Sequence, residues 1–249
     1  MPPELPYRDF YYPLNVFMHV LTHEEGGVEY LHYGLFNHPG ESIGAAQEHS
    51  TELLLERLPK PAARILEVGT GLGTTLARLT RLGYDATGIT PDEKQIAIVR
   101  ERYGDGVRVE QISFEQFPAR PVDVVVFQES SQYMDTRVLF AKAAEMTRHV
   151  IVLDEFAVHP GGSLHHLGSF LDAAGDSGFR KMEDVDLSAR AAPTIDYFLK
   201  RLPGYRGALM SDLGLTDSQV DDLIASGTKY RESYASGAFV YRLLRFTKE

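Results

Sequence analysis

Apolar residues along this chain follow two rhythms. Short apolar-rich runs at 65–68, 86–89 and 122–127 look like strands buried on both faces of a sheet. Between them, stretches with apolar residues every third or fourth position read as amphipathic helices. The same reading predicts strands at 107–111, 149–153, 180–187 and 236–246. Helices are expected at 15–21, at 40–58 with Ser42 as cap, from Thr74 or Thr75 to the stop at Gly83, at 138–147 and at 164–174. A further helix opens at Pro91-Asp92. Helices at 193–202 and 216–234, the latter capped by Thr216, separate the last two strands. Strands alternating with helices imply an α/β sheet covered on both faces.

One segment organises the rest. The strand at 65–68 runs into Gly69-Thr70-Gly71-Leu72-Gly73, and a helical pattern begins directly behind it. Glycine permits φ > 0 and lets the backbone approach a ligand closely. A helix opening there offers free N–H groups and a positive dipole end to the polar part of a nucleoside-type ligand. The dinucleotide fingerprint G-x-G-x-x-G would need its third glycine at position 74, which is Thr74, so a nicotinamide enzyme is disfavoured.

With Glu67 two residues before the first glycine, the string E-x-G-x-G-x-G resembles motif I of the class I S-adenosylmethionine-dependent methyltransferases. Leu31-His32-Tyr33-Gly34-Leu35-Phe36 resembles a segment of the subgroup that includes cyclopropane fatty acid, sterol and natural-product methyltransferases. Gly88-Ile89-Thr90-Pro91-Asp92-Glu93-Lys94-Gln95 is similar to another segment of that subgroup, in which threonine replaces the usual ribose-binding acid; Pro91 and Asp92 depart from its pattern.

The resemblance implies a Rossmann-like, seven-stranded, mostly parallel sheet whose last strand is antiparallel. It implies S-adenosyl-L-methionine as cofactor and transfer of its methyl group to a small, partly apolar molecule, with carbon slightly favoured over nitrogen or oxygen. The implied cofactor-side residues are Tyr33, Glu67, Gly69, Thr70, Gly71, Gly73, Thr90, Gln95, Ser113, Phe114 and Gln128. Ser113 and Phe114 would stand by the adenine, although Phe114 could equally be core. Glu129, after the strand at 122–127, is the candidate base or cation stabiliser, since a carboxylate in an apolar cleft has a raised pKa; it could instead cap the next helix. Tyr133 and His166 are weaker catalytic candidates. The adjacent pair His165-His166 does not suggest a metal, because neighbours on a helix point about 100° apart, and no metal is expected.

The expected organisation is an aromatic-rich cover and helix at 1–60, a cofactor-binding core at 61–186, a helical lid at 187–235 and a final strand at 236–249. Tyr197, Phe198, Tyr205, Met210 and Tyr234 are expected to line an apolar pocket under that lid. The net charge of −10 and the lack of a basic run argue against nucleic acid. With no cysteine, disulfides and thiolate metal sites are excluded. Met1 to Pro6 lacks the features of a signal peptide, and no apolar run reaches the roughly 20 residues of a membrane span, so a cytoplasmic protein is expected. Two alternatives stay open: a protein of this fold that uses the cofactor for a step such as cyclisation, and a non-catalytic binding protein. The acceptor and the oligomeric state are not readable.

Overall fold

The computed structural model describes residues 7–249; the segment read above for a signal peptide lies outside them. Seven strands form one sheet in the order β3-β2-β1-β4-β5-β7-β6. They are β1 (Arg64–Val68), β2 (Asp85–Thr90), β3 (Arg108–Gln111), β4 (Val124–Gln128), β5 (His149–Ala157), β6 (Phe179–Asp186) and β7 (Phe239–Lys248). Neighbours from β3 to β5 pair in parallel, whereas β7 runs antiparallel to both β5 and β6. The sheet is therefore mostly parallel with one reversed strand, as the sequence resemblance implies.

Alternation along the strands divides the core. Leu66, Val68, Val125, Phe127, Val150 and Val152 face one side, where Phe140 of α5 (Thr136–Met146) and Phe170 of α6 (Leu167–Asp176) meet them. Ile65, Val124, Val126 and Ile151 face the other, against Leu54 of α2 (Ile43–Leu55) and Leu76 and Leu79 of α3 (Thr74–Arg81). Helices thus cover both faces. The predicted caps form: Ser42 accepts from Ala45 N at 3.2 Å. Asp92 opens α4 (Glu93–Tyr103) by accepting from Lys94 N at 2.8 Å. Thr216 and Gln219 make a reciprocal capping box at the start of α9 (Asp217–Ala235).

Several boundaries differ from the expectation, and three of them have a clear cause in pairing, capping or packing. β5 continues through Asp154, Glu155 and Phe156 to Ala157, because β7 pairs with it along that whole length. α6 begins at Leu167 rather than 164, since His166 is its N-cap. After the short α7 (Ser188–Ala191), α8 (Pro193–Leu213) runs through Pro203 instead of stopping at 202. Packing carries it on: Leu202 and Leu209 are buried among residues of α9 and of α1 (Leu14–Glu25). α1, α8 and α9 therefore share a separate apolar cluster with Val16, Val20, Leu209 and Val220 in it.

Candidate active site

Strand order reverses between β1 and β4. The crevice outside the carboxyl ends of these strands is where open α/β sheets take ligands. A cavity of about 610 Å³ occupies it. Its floor is the glycine turn. Gly69 N and Thr70 N both donate to Ile89 O, at 2.9 and 3.2 Å, so the turn stays tied to β2 while it reverses. Gly69 and Gly71 have φ of 75° and 54°, a conformation costing a residue with a Cβ about 1–2 kcal/mol. A Cβ on Gly69 would run into the Ser130 side chain, and one on Gly71 would stand 3.5 Å from Leu31 Cδ1. The backbone here is bare because a side chain would fill the cradle.

Side chains around the cradle are polar and mutually bonded. Glu67 is buried, and its Oε2 accepts from the Thr70 hydroxyl at 2.6 Å. Burial pushes its pKa up to about 7, against the lowering effect of that bond. The Thr90 hydroxyl donates to Gln95 Oε1 at 2.8 Å. Gln128 Oε1 accepts from the Thr75 hydroxyl at 3.3 Å. Ser113 is on the wall, and Phe114 serves twice: it borders the crevice and packs edge-on against Phe127 with ring centres 5.3 Å apart.

Glu129 stands where β4 ends. It is one of two non-glycine residues with positive φ among those described, at 53°. Its N–H donates to Leu153 O at 2.8 Å, and its Oε1 accepts from Tyr33 N at 2.7 Å and from the Tyr241 hydroxyl at 2.5 Å. Both bonds fall on Oε1, and the residue borders the crevice. Burial pushes the carboxyl pKa well above its ordinary value; the Tyr241 bond works the other way, and the nearby Glu155 and Asp154 raise it further. A residue held in a costly backbone conformation, with its acid deprived of water, is typical of a functional position.

A second cavity, of about 410 Å³, lies next to the first, and Leu14, Leu31 and His32 border both. Its wall is mostly apolar, from Phe17, Phe198, Leu199 and Leu202 among others, with Tyr33, Tyr230 and the carboxyl of Glu155 as polar points. Glu155 Oε1 accepts from the Tyr234 hydroxyl at 2.7 Å, and burial pushes its pKa up to about 7. Asp154 faces elsewhere: its Oδ2 accepts from Ser131 N and Ser131 Oγ at 3.0 and 2.6 Å, pinning the turn after Glu129. Burial lifts its pKa to about 6. The His32 Nδ1–H donates to Tyr33 O at 2.9 Å, and Nε2 accepts from the Thr51 hydroxyl at 3.2 Å; burial lowers the ring's pKa to about 4. His32 is therefore a neutral fixture between the cavities.

Most expected residues meet at the crevice: Glu67, Gly69, Thr70, Gly71, Thr90, Gln95, Ser113, Phe114, Gln128, Glu129 and Tyr133 all border it. Tyr133 is at the mouth, 73% exposed, with its hydroxyl 3.1 Å from that of Tyr11. Tyr33 does not border the crevice. Its ring stacks on Tyr241 at 5.9 Å and borders the second cavity. Gly73 is off the wall as well; its φ of 80° opens α3, and a Cβ there would press on Val99 and Tyr103, so its role is packing. His166 borders neither cavity: Nδ1 accepts from Ser169 N at 3.2 Å as the N-cap of α6. Under the lid only Phe198 of the five expected residues lines the cavity. Tyr197 bonds Glu25, Tyr205 bonds Glu24, Met210 faces solvent, and Tyr234 reaches Glu155 from outside the lining.

The residues not foreseen are Glu155, Asp154, Tyr241, Leu31 and His32. Two acids in an apolar strand were the available signal for the first pair. Tyr241 could not be placed without the register that sets it opposite Glu155.

Residues 65–150 match the family described as methyltransferase domain. An O-methyltransferase from Pyrenophora dematioidea is 35% identical over 91 residues, which are 34% of this chain and 34% of that protein. The match thus spans about a third of the curated relative's length. Among solved structures, the [4+2]-cyclase SpnF has the same fold with a TM-score of 0.76 at 21% identity, covering 92% of this chain and 91% of that one. A cyclopropane synthase from Mycobacterium tuberculosis gives 0.74 at 18% identity, covering 87% and 89%. Residues 65–150 thus carry a methyltransferase domain, and the chain as a whole shares the fold of these solved structures. Among the described residues, no helix is long and apolar enough to cross a membrane.

Proposed function

We propose that the protein uses S-adenosylmethionine to methylate a small, partly apolar molecule in the biosynthesis of a natural product, with carbon ahead of nitrogen or oxygen as the acceptor to test first. The observation that carries this reading is the junction of two cavities, one polar and glycine-floored, the other apolar, with the strained acid Glu129 beside it. The residues suit the cofactor. Gly69 and Gly71 leave backbone exposed for its amino-acid end, Thr90 and Gln95 offer hydroxyl and amide groups on the ribose side, and Ser113 and Phe114 border the adenine side. When bound, the cofactor supplies an electrophilic methyl carbon on a positively charged sulfur.

The chain's own residues supply the rest. The apolar cavity removes the acceptor from water and holds it toward the crevice, which converts a bimolecular encounter into an aligned one. Glu129, at the edge of the crevice, would take the proton that the acceptor gives up on methylation. Burial disfavours the anion of Glu129 when the crevice is empty. A sulfonium beside it favours the ionised form. Cofactor binding would therefore prime the base, and the same carboxylate would steady a cationic intermediate on carbon.

Incubation with methyl-labelled cofactor and a panel of apolar acceptors, read by mass, tests the activity; calorimetry with S-adenosylhomocysteine tests the site. No heat of association would remove the reading. A second reading has one observation behind it, the likeness to a [4+2]-cyclase over nearly the whole chain. In that case S-adenosylhomocysteine binds but no label reaches product. The non-catalytic alternative predicts a blocked crevice, and the open 610 Å³ cavity speaks against it.

A further inference from the structure

Away from the crevice, α1 and α8 bring His19, His23 and Asp212 together. Their ligating atoms all lie within 4.8 Å of one another, and His19 Nε2 is 3.0 Å from Asp212 Oδ2. We propose that these three residues form a site for a divalent transition-metal ion of the zinc class, clamping the cover helix to the end of the lid helix.

The spacing places the two imidazoles correctly. Positions 19 and 23 are one helical turn apart on α1, so both rings project from the same face, and their centres are 4.3 Å apart. The chemistry of each ring fits as well. His23 Nδ1 is 2.8 Å from the carbonyl oxygen of His19. A carbonyl only accepts, so Nδ1 carries the proton and the lone pair of Nε2 is free for a metal. This is the outer hydrogen bond that metal-binding histidines ordinarily make. His19 is fully buried, and its Nδ1 has no partner in the protein. Nε2, the nitrogen that faces Asp212, is the one that would take the ion, while Nδ1 stays without a protein partner.

The donor set selects the ion. Two imidazole nitrogens and one carboxylate suit zinc and its neighbours rather than magnesium or calcium, which prefer all-oxygen surroundings. Zinc bonds of about 2.0–2.1 Å put tetrahedral ligand atoms about 3.4 Å apart. The His19–Asp212 pair, at 3.0 Å, is already near that separation, and all three ligand atoms lie within 4.8 Å of one another. His23 is exposed and Asp212 half-exposed, so the ion has access and water can take the fourth position.

The consequence is mechanical. α1 carries Phe17, Met18 and Leu21 into the apolar cavity wall, and α8 carries Ile195, Phe198 and Leu202. An ion bridging them would stiffen two walls of that cavity without touching its contents. The inference does not rest on the proposed reaction.

The test is titration of the chelator-treated, tag-free full chain with ZnCl2, followed by calorimetry, thermal melting and imidazole ¹⁵N NMR. One ion per chain is expected, with a rise in melting temperature and movement of two histidine ring signals. His23→Gln and Asp212→Asn should each weaken uptake at least about 10-fold, while His38→Ala, on the surface elsewhere, leaves it unchanged. MgCl2 should give no saturable uptake. The NMR readout needs no variant, so a substitution that impaired folding would not shelter the idea. It is overturned if zinc uptake is not saturable, if no histidine pair responds, or if both ligand variants bind as the wild type does.

Discussion

The Tyr241 hydroxyl donates to Glu129 Oε1 at 2.5 Å, joining the antiparallel strand β7 to the end of β4 across 112 positions of chain. This bond opposes the effect of burial on the Glu129 carboxyl. Removing it in Tyr241→Phe should raise the Glu129 pKa further. The acid limb of the pH–rate profile then moves to higher pH, with affinity for S-adenosylhomocysteine within a few-fold of wild type. Glu129→Gln should lower methyl transfer by about 10²–10⁴-fold, the range for losing a general base, again with the cofactor site intact. Wild-type turnover in Glu129→Gln would remove Glu129 from the chemistry.

At the glycine cradle, Gly69→Ala puts a methyl group against Ser130 and forces an unfavourable φ. We expect S-adenosylhomocysteine affinity to fall about 10-fold or more by calorimetry. Strain and clash together should also lower stability by about 1–3 kcal/mol. Gly71→Val, with room for a Cβ but the same backbone strain, should weaken binding by intruding on the crevice. Unchanged affinity in both would show that ligand does not approach this turn.

How far the sequence foretold this site depends on whether a residue's role was local. The strand at 65–68, the glycine turn, the Ser42 and Thr216 caps and the acid after β4 each declare themselves within a few positions. Their spacing and residue type therefore sufficed. The surroundings of Tyr33 are not legible in sequence: its backbone N–H bonds Glu129 and its ring stacks on Tyr241, and Tyr241 is known only through strand register. A helix expected from 164 puts His166 inside its first turn, whereas α6 starts at Leu167 and makes His166 its cap. The position of the helical insertion in the expected topology points its aromatics toward a pocket. Packing of α8 against α1 turns Tyr197 and Tyr205 toward Glu25 and Glu24 instead, so that Phe198 alone of the group reaches the cavity.

That cavity gives a prediction separable from the cofactor site. Phe198 borders it and packs on Phe17 with ring centres 4.7 Å apart. Phe198→Ala should widen the pocket and remove apolar contact from an acceptor. KM for the acceptor should rise by about 10-fold, a loss in the 1–3 kcal/mol range for apolar pocket contacts. Affinity for S-adenosylhomocysteine should stay unchanged, because Phe198 does not border the crevice. Equal losses of both would mean the change is structural and not a substrate contact.

Burial of Glu67 should be visible in the stability of the ligand-free protein. Its carboxyl ionises near 4.5 in an unfolded chain but near 7 when folded, because burial penalises the anion. Between those values the folded chain holds a proton that the unfolded chain has lost. Stability must then fall as pH rises through this window and level off above it. Glu155, also lifted to about 7, and Asp154, lifted to about 6, add to the same slope. Glu67→Gln keeps an acceptor for the Thr70 hydroxyl but cannot ionise. Its own part of the slope should disappear: near pH 5 the variant should match the wild type, and near pH 8 it should be more stable by about 2–3 kcal/mol. Thermal melts across pH 5–8 check this, since for a domain of this size about 1 kcal/mol is 2–4 °C. Parallel curves for the two proteins would mean that Glu67 is solvated in the folded chain and that the floor of the crevice is wetter than its packing indicates.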